Sequence, residues 1–135
     1  MVLDLNWSGV DVRDVAKAHI QGMENPNAKG RYICAAESLD LKDICSMLIK
    51  NFPEYSGKVP TTDATGFFGT SLTTFLSYFQ PISMGSYLRT NLGMKYNCDN
   101  SKIKKELNFE FMSVEESIKD TVQFFIDRNL IKKNK

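Results

Sequence analysis

Few residues of this chain are of a type and spacing that could do chemistry. His19 is the single histidine, and an imidazole can shuttle protons near neutral pH. It falls on the apolar side of a helical pattern, where a hydrogen-bonded structural role is the plainer reading. Three cysteines, Cys34, Cys45 and Cys98, offer thiols. No two stand at C-x-x-C spacing, and one histidine leaves a zinc site short of ligands. An odd count without close pairing gives no disulfide framework, so Cys34 and Cys45 read as small core residues. Gly66-Phe67-Phe68-Gly69 is a candidate start for a phosphate-binding turn, in which backbone N–H groups meet an anion. Leu72 stands where a third glycine belongs, and no strand is predicted ahead of the turn, so no phosphate role is assigned there. Arg13 and Asp14 read as ties at a strand–helix junction.

The elements that would carry these groups follow from periodicity. Val10 and Val12 have strand propensity, and Val12, Val15, Ala16, His19, Ile20 and Met23 recur at helical spacing. Asp11 or Asp14 can cap that helix, and Pro26 stops it. Gly30 then precedes the strand-like run Arg31-Tyr32-Ile33-Cys34-Ala35. Strand, helix, strand, with residues 8–12 and 30–36 as the central pair, predicts a crossover in a parallel sheet. A second helix, capped by Asp40 with Asp43 in its first turn, carries the stripe Leu41, Ile44, Cys45, Leu48 and Ile49 and ends at Phe52-Pro53.

Residues 63–95 are the least regular part. An aromatic-rich helix there ends at Pro81, and a shorter one runs from Ser83 to Leu92 and is closed by Gly93. Met94 to Cys98 alternates like a strand. Asp99 or Ser101 caps the run Lys102 to Leu107, and Asn108 stops it in the left-handed conformation. Ser113-x-x-Glu116 predicts a capping box for a last helix with the face Val114, Ile118, Val122, Phe125 and Ile126, ended by Asn129. The fold class is α/β, with about five helices and roughly three short strands.

The chain has 135 residues, 42% hydrophobic and 24% charged, which fits one soluble globular domain. A formal net charge of +1 gives no electrostatic case for nucleic acid. Lys132-Lys133-Asn134-Lys135 reads as a solvated tail. The aromatic helix is too short and too broken by Gly66, Gly69 and polar residues to span a bilayer. No charged-then-apolar leader opens the chain, and a reducing cytoplasm is the expected setting.

Several runs carry a resemblance: Val10-Asp11-Val12-Arg13-Asp14-Val15-Ala16-Lys17-Ala18-His19, then Gly30-Arg31-Tyr32-Ile33-Cys34, then Asn51-Phe52-Pro53-Glu54-Tyr55, then Asp99 to Phe109 and Ser113 to Thr121. In this order they resemble the C-terminal portion of extended short-chain dehydrogenases/reductases. The branch is that of the dihydroflavonol 4-reductases and cinnamoyl-CoA reductases, within the NAD-dependent epimerase/dehydratase superfamily. The resemblance covers most of the chain except residues 61–95. It implies a Rossmann-type NAD(P)-binding fold with short parallel strands, NAD(P)H as the parent enzyme's cofactor, and a small-molecule carbonyl substrate. Such enzymes meet the pyrophosphate with a glycine-rich turn. They use a Ser/Thr, Tyr and Lys set in which Lys lowers the Tyr pKa and Tyr acts as general acid/base. This chain matches neither element. No Tyr has a Lys four residues later, and Tyr55 and Lys58 are three apart. No catalytic, cofactor-binding or metal residue is therefore carried over. Residues 1–135 are expected to form a single C-terminal, substrate-side domain, without the dinucleotide-binding half and with no cofactor of their own. The resemblance places the substrate wall within residues 61–95, where Phe67, Phe68 and Tyr78 offer aromatic faces and Arg89 a cationic anchor. The plainer readings are core packing for the aromatics and a solvated charge for Arg89.

Two functions are compatible with this. One is the substrate-side fragment of an NAD(P)H-dependent carbonyl reductase, not catalytic by itself. The other is a stand-alone interaction module derived from such an enzyme. Neither involves nucleic acid or membrane. In the resembled fold the strand at Arg31 to Ala35 lies on a larger sheet, so the fragment uncovers a strand edge and apolar surface around Val10, Tyr32 and Ile33. Self-association, most simply as a two-fold dimer, is expected.

Overall fold

Residues 1–131 are described by the structure, a computed structural model. The lysine-rich end, Lys132-Lys133-Asn134-Lys135, lies outside the described residues. Two compact units divide the chain. One holds Met1–Trp7 and Leu39–Tyr96, and the other holds Ser8–Ser38 and Asn97–Leu130. Among the described residues there are six α-helices and four short strands, an α/β arrangement.

In the first unit, β1 (Val2–Leu3) pairs in parallel with β4 (Asp63–Ala64), Val2 opposite Asp63 and Leu3 opposite Ala64. Helix α2 (Leu41–Asn51) turns its predicted stripe inward, with Cys45 buried and Ile44, Leu48 and Ile49 half-buried. Asp40 stands at its N-cap, but its carboxylate accepts from Asn6 Nδ2 at 2.8 Å and Lys95 Nζ at 2.7 Å rather than from the helix. A 3-10 turn over Pro53–Lys58 buries Tyr55. Helix α3 (Gly66–Leu76) continues into a 3-10 turn, Ser77–Phe79, and then α4 (Ile82–Asn91). Gly93 at φ +73° closes α4 as predicted, because a residue without Cβ takes the left-handed conformation freely. Contrary to the sequence expectation, a strand does precede Gly66: β4 ends two residues before it. That strand is only two residues long, below what alternation can register.

In the second unit, α1 (Val12–Glu24) has Asp11 as N-cap, its Oδ1 accepting from the Arg13 N–H at 2.8 Å. Helix α5 (Ser101–Glu106) and helix α6 (Val114–Asp127) follow. The core is Ile103, Leu107 and Phe109, with Ala18, Ala28, Tyr32, Cys34 and Phe111 packed against it. Asn108 (φ 47°) and Asn129 (φ 54°) stop α5 and α6 in the left-handed region, as expected of Asn. The predicted capping box does not form. Ser113 makes no side-chain cap bond, and Glu37 Oε1 accepts the Val114 N–H at 3.2 Å instead.

The predicted central strand pair is displaced. Strand β2 is Asn6–Gly9 and β3 is Glu37–Asp40, and the two pair with each other. In the second unit the Ser8 and Ser38 hydroxyls meet at 2.9 Å, while the Ala36 N–H donates to Gly9 O at 2.8 Å. In the first, Asn6 meets Asp40, while the Leu41 N–H donates to Leu5 O at 2.9 Å. Numbers rise on one strand as they fall on the other, so this pair is antiparallel. Residues 31–36 and 94–98 form no strand. The apolar face of α1 is also not a core face: Val12, Ile20 and Met23 are exposed, and the residue buried is Asp14.

Candidate functional site

The four residues expected to line a substrate wall all fall in the first unit, as two local pairs. Phe67 and Phe68 open α3. Their rings touch edge-on, centroids 5.6 Å apart, and both are more than four-fifths exposed (81% and 86%). They are not core residues. Tyr78 and Arg89, eleven positions apart, do come together. The Arg89 guanidinium lies 4.5 Å from the Tyr78 ring centroid, and its Nη1 donates to Ser77 O at 3.2 Å and approaches Ser77 Oγ at 3.3 Å. Arg89 is thus a stacked, oriented cation. Tyr55, three residues before Lys58, is buried at 6% exposure.

The strand–helix junction of the second unit carries a cluster of ion pairs. Arg13 donates from Nε to Asp11 Oδ1 at 2.8 Å and from Nη2 to Asp11 Oδ2 at 2.9 Å, and Nη2 also reaches Asp120 Oδ2 at 2.7 Å. Asp14 is fully buried; its Oδ2 accepts the Met112 N–H at 2.7 Å, and its Oδ1 lies 3.6 Å from Lys17 Nζ. The reading of Arg13 and Asp14 as junction ties holds. Hydrogen bonds from Arg13, then from Ser117, keep the Asp11 carboxyl well below the usual carboxylate range against the opposing effect of burial. A carboxyl whose pKa is depressed on folding stabilises the fold above its unfolded value, about 3.9, and loses that contribution as pH falls through the folded value. Asp40 and Asp63 of the first unit are lowered likewise, by Lys95 and Lys42. The melting temperature is therefore expected to be level from about pH 5 to 8 and to fall steadily below about pH 4. Asp11→Asn, which keeps a capping side chain, should give a shallower acid limb when melts are followed by circular dichroism.

A groove of about 390 Å³ in the same unit is lined by Ala18, His19, Gly22, Tyr32, Cys34 and Ile103 among others. His19 is exposed, with Nδ1 2.7 Å from Val15 O, so it is hydrogen-bonded as expected, although not packed in a core. The Tyr32 hydroxyl donates to Glu106 Oε2 at 2.7 Å and accepts from the Lys29 N–H, and Lys102 Nζ sits 4.4 Å over its ring. The Glu106 hydrogen bond raises the Tyr32 pKa, and burial, then the negative charge of Asp14, raises that of Cys34. Both shifts keep the groups protonated, which suits neither a phenolate base nor a thiolate nucleophile. The Tyr32 clamp is invisible in the sequence, because Glu106 and Lys102 lie about seventy residues away. Among the described residues, no three His, Cys, Asp or Glu side chains gather as a metal site, and no helix is long and apolar enough to cross a membrane.

No family model matches the chain. Cinnamoyl-CoA reductase 1 of Arabidopsis thaliana is 31% identical over 120 residues, which are 89% of this chain and 28% of that protein. Cinnamoyl-CoA reductase 1 of Petunia hybrida is 48% identical over 56 residues, 42% of this chain and 17% of that protein. Among solved structures, yeast methylglyoxal/isovaleraldehyde reductase Gre2 complexed with NADPH matches with a TM-score of 0.66 at 25% identity, over 97% of this chain and 36% of that one. The matched stretches thus span 17% to 36% of the length of these proteins.

Proposed function

We propose, from the premise that this chain is homologous to part of the cinnamoyl-CoA and dihydroflavonol reductase branch of extended short-chain dehydrogenases/reductases, that it is the C-terminal, substrate-side portion of an NAD(P)H-dependent carbonyl reductase. The observation that carries this reading is the asymmetry of the match: nearly all of this chain, but only 36% of the NADPH-bound reductase, superposes. The extended segment 31–36 supports it. Tyr32, Ile33 and Cys34 make no backbone–backbone hydrogen bond among the described residues, although their composition is that of a strand buried in a parallel sheet. One side of the segment is held by side chains, with Asn100 donating to Ala35 O and Lys102 to Arg31 O. The backbone groups of Tyr32 and Cys34 are left for neighbours outside the chain.

In this reading the portion holds no cofactor and performs no turnover alone. Tyr78 and Arg89 supply the contact to the oxygen of a small carbonyl substrate. Phe67 and Phe68 add two aromatic faces to the substrate wall. Its three thiols are free, which suits the cytoplasm. The test is the transcript upstream of the Met1 codon. An open frame encoding a glycine-rich strand–turn–helix and a Tyr-x-x-x-Lys is the expected result. An in-frame stop directly before Met1, in a cell that makes the 135-residue protein, would sink the reading and leave a stand-alone interaction module.

A further inference from the structure

Helix α3 is packed inside out. Gly69, Thr73 and Ser77 recur every fourth residue, and Thr73 and Ser77 are buried (5% and 1% exposed). A Cβ on Gly69 would collide with the backbone of Ala64, so this face is pressed onto β4. Phe68, Leu72 and Phe75 on α3, and Phe79 at the end of the 3-10 turn that continues it, recur at spacings of four, three and four, and are 86%, 58%, 61% and 74% exposed. The usual amphipathic order, large apolar residues in and small polar residues out, is reversed. The glycine contact fixes the rotation, so the aromatic stripe cannot turn inward without lifting the helix off β4. Soluble proteins rarely leave such a surface uncovered.

We propose that this stripe is a homotypic interface, in which α3 of one copy pairs antiparallel with α3 of a second copy about a two-fold axis. Spacing of four and three is that of a knobs-into-holes seam. Under a two-fold axis the stripe meets itself, Phe68 facing the partner's Phe79 and Leu72 the partner's Phe75. Residues 64–88 contain no charged residue. The surface therefore has neither a charge to select an oppositely charged partner nor the basic rim that holds an amphipathic helix on anionic lipid. Phe67 and Ile82 flank the stripe at 81% and 89% exposure. With about 200 Å² per fully exposed large side chain, the six offer on the order of 800 Å² per copy, the share each partner gives to a standard-size interface. The surface lies in the first unit and the unpaired segment 31–36 in the second.

Sedimentation velocity of the full chain at micromolar concentration tests it. The wild type is expected to run as a dimer. Leu72→Lys and Phe75→Glu should each run as monomers with unchanged far-ultraviolet circular dichroism, and their equimolar mixture should run as a dimer, since the two positions face each other. Should either charged variant fail to fold, Phe75→Ala is expected to raise the dimer dissociation constant at least tenfold. Ile33→Lys, on the unpaired segment, should remain dimeric. A monomeric wild type, a dimer indifferent to Leu72 and Phe75, or a monomer produced by Ile33→Lys would each overturn the proposal. So would a monomeric wild type that floats with phosphatidylcholine vesicles, which would assign the face to lipid.

Discussion

Titrating NADPH into the 135-residue chain is expected to give no saturable heat or fluorescence change up to about millimolar concentration, a binding free energy weaker than about 4 kcal/mol in magnitude. Dinucleotide pyrophosphates are met by a glycine-rich turn between a strand and a helix N-terminus, where bare backbone lets N–H groups approach. The nearest arrangement here is the turn from β4 into α3, with Gly66 at φ +80°. Its details oppose an anion. Phe67 and Phe68 project where close approach would require small residues, and Leu72 replaces the third glycine. A carboxylate stands just ahead of the helix: Asp63 Oδ1 accepts the Thr65 N–H at 2.9 Å and the Thr65 hydroxyl at 2.6 Å. Lys42, which lines a cavity with Gly66, is held by Asp63 Oδ2 at 2.7 Å. A phosphate would have to displace that ion pair and then face the repulsion of a carboxylate one turn away. Saturable binding in the micromolar range by calorimetry would show that the cofactor site has been misplaced.

Helix ends were the most legible feature of the sequence. Asn108, Asn129 and Gly93 all take the left-handed conformation that stops a helix, a local property of the residue and its place. The α2 stripe was also legible, because its partners, β1 and the Pro53–Lys58 turn, lie in the same chain. Strands at 8–12 and 30–36 were not, for a physical reason. A strand exists through its partner, and Tyr32, Ile33 and Cys34 have none among the described residues, whereas Asn6–Gly9 and Glu37–Asp40 find each other. The α1 face fails in the same way. Periodicity says which residues share a side, not whether the chain supplies anything to cover it, and Val12 and Met23 stay exposed at 78% and 79%. Of the candidate site, the resemblance pointed to Phe67, Phe68, Tyr78 and Arg89, but only the turn between α3 and α4 brings Tyr78 and Arg89 together. The Arg13–Asp120 and Lys95–Asp4 pairs join residues more than ninety positions apart, beyond any local spacing rule.

Ile103→Ala is expected to lower the unfolding free energy by about 3 to 4 kcal/mol, the usual loss for truncating a fully buried aliphatic side chain and leaving a cavity. Ile103 is 1% exposed and central to the second unit's core, touching a cluster that includes Leu107 and Phe109. The cavity would not collapse easily. Phe109 and Phe111 are locked edge to face, centroids 4.8 Å apart, and Leu107 is fixed by its N–H to Ile103 O at 3.1 Å as α5 ends. Helix α5 has only six residues, too few to hold itself by backbone bonds alone, so its persistence depends on this contact. A loss of this size is a large part of the roughly 5 to 15 kcal/mol that a domain has in total, so the variant should show a visibly populated unfolded fraction at moderate urea. Phe124→Ala, at a residue 49% exposed on α6, serves as the control. It removes more atoms, yet should shift stability by less than about 1 kcal/mol, because much of that ring is already in water. Urea unfolding followed by circular dichroism at constant slope separates the two. Equal shifts for both variants would mean that Ile103 does not anchor a core, and that the second unit is held chiefly by the Arg13 and Asp14 bonds at the start of α1.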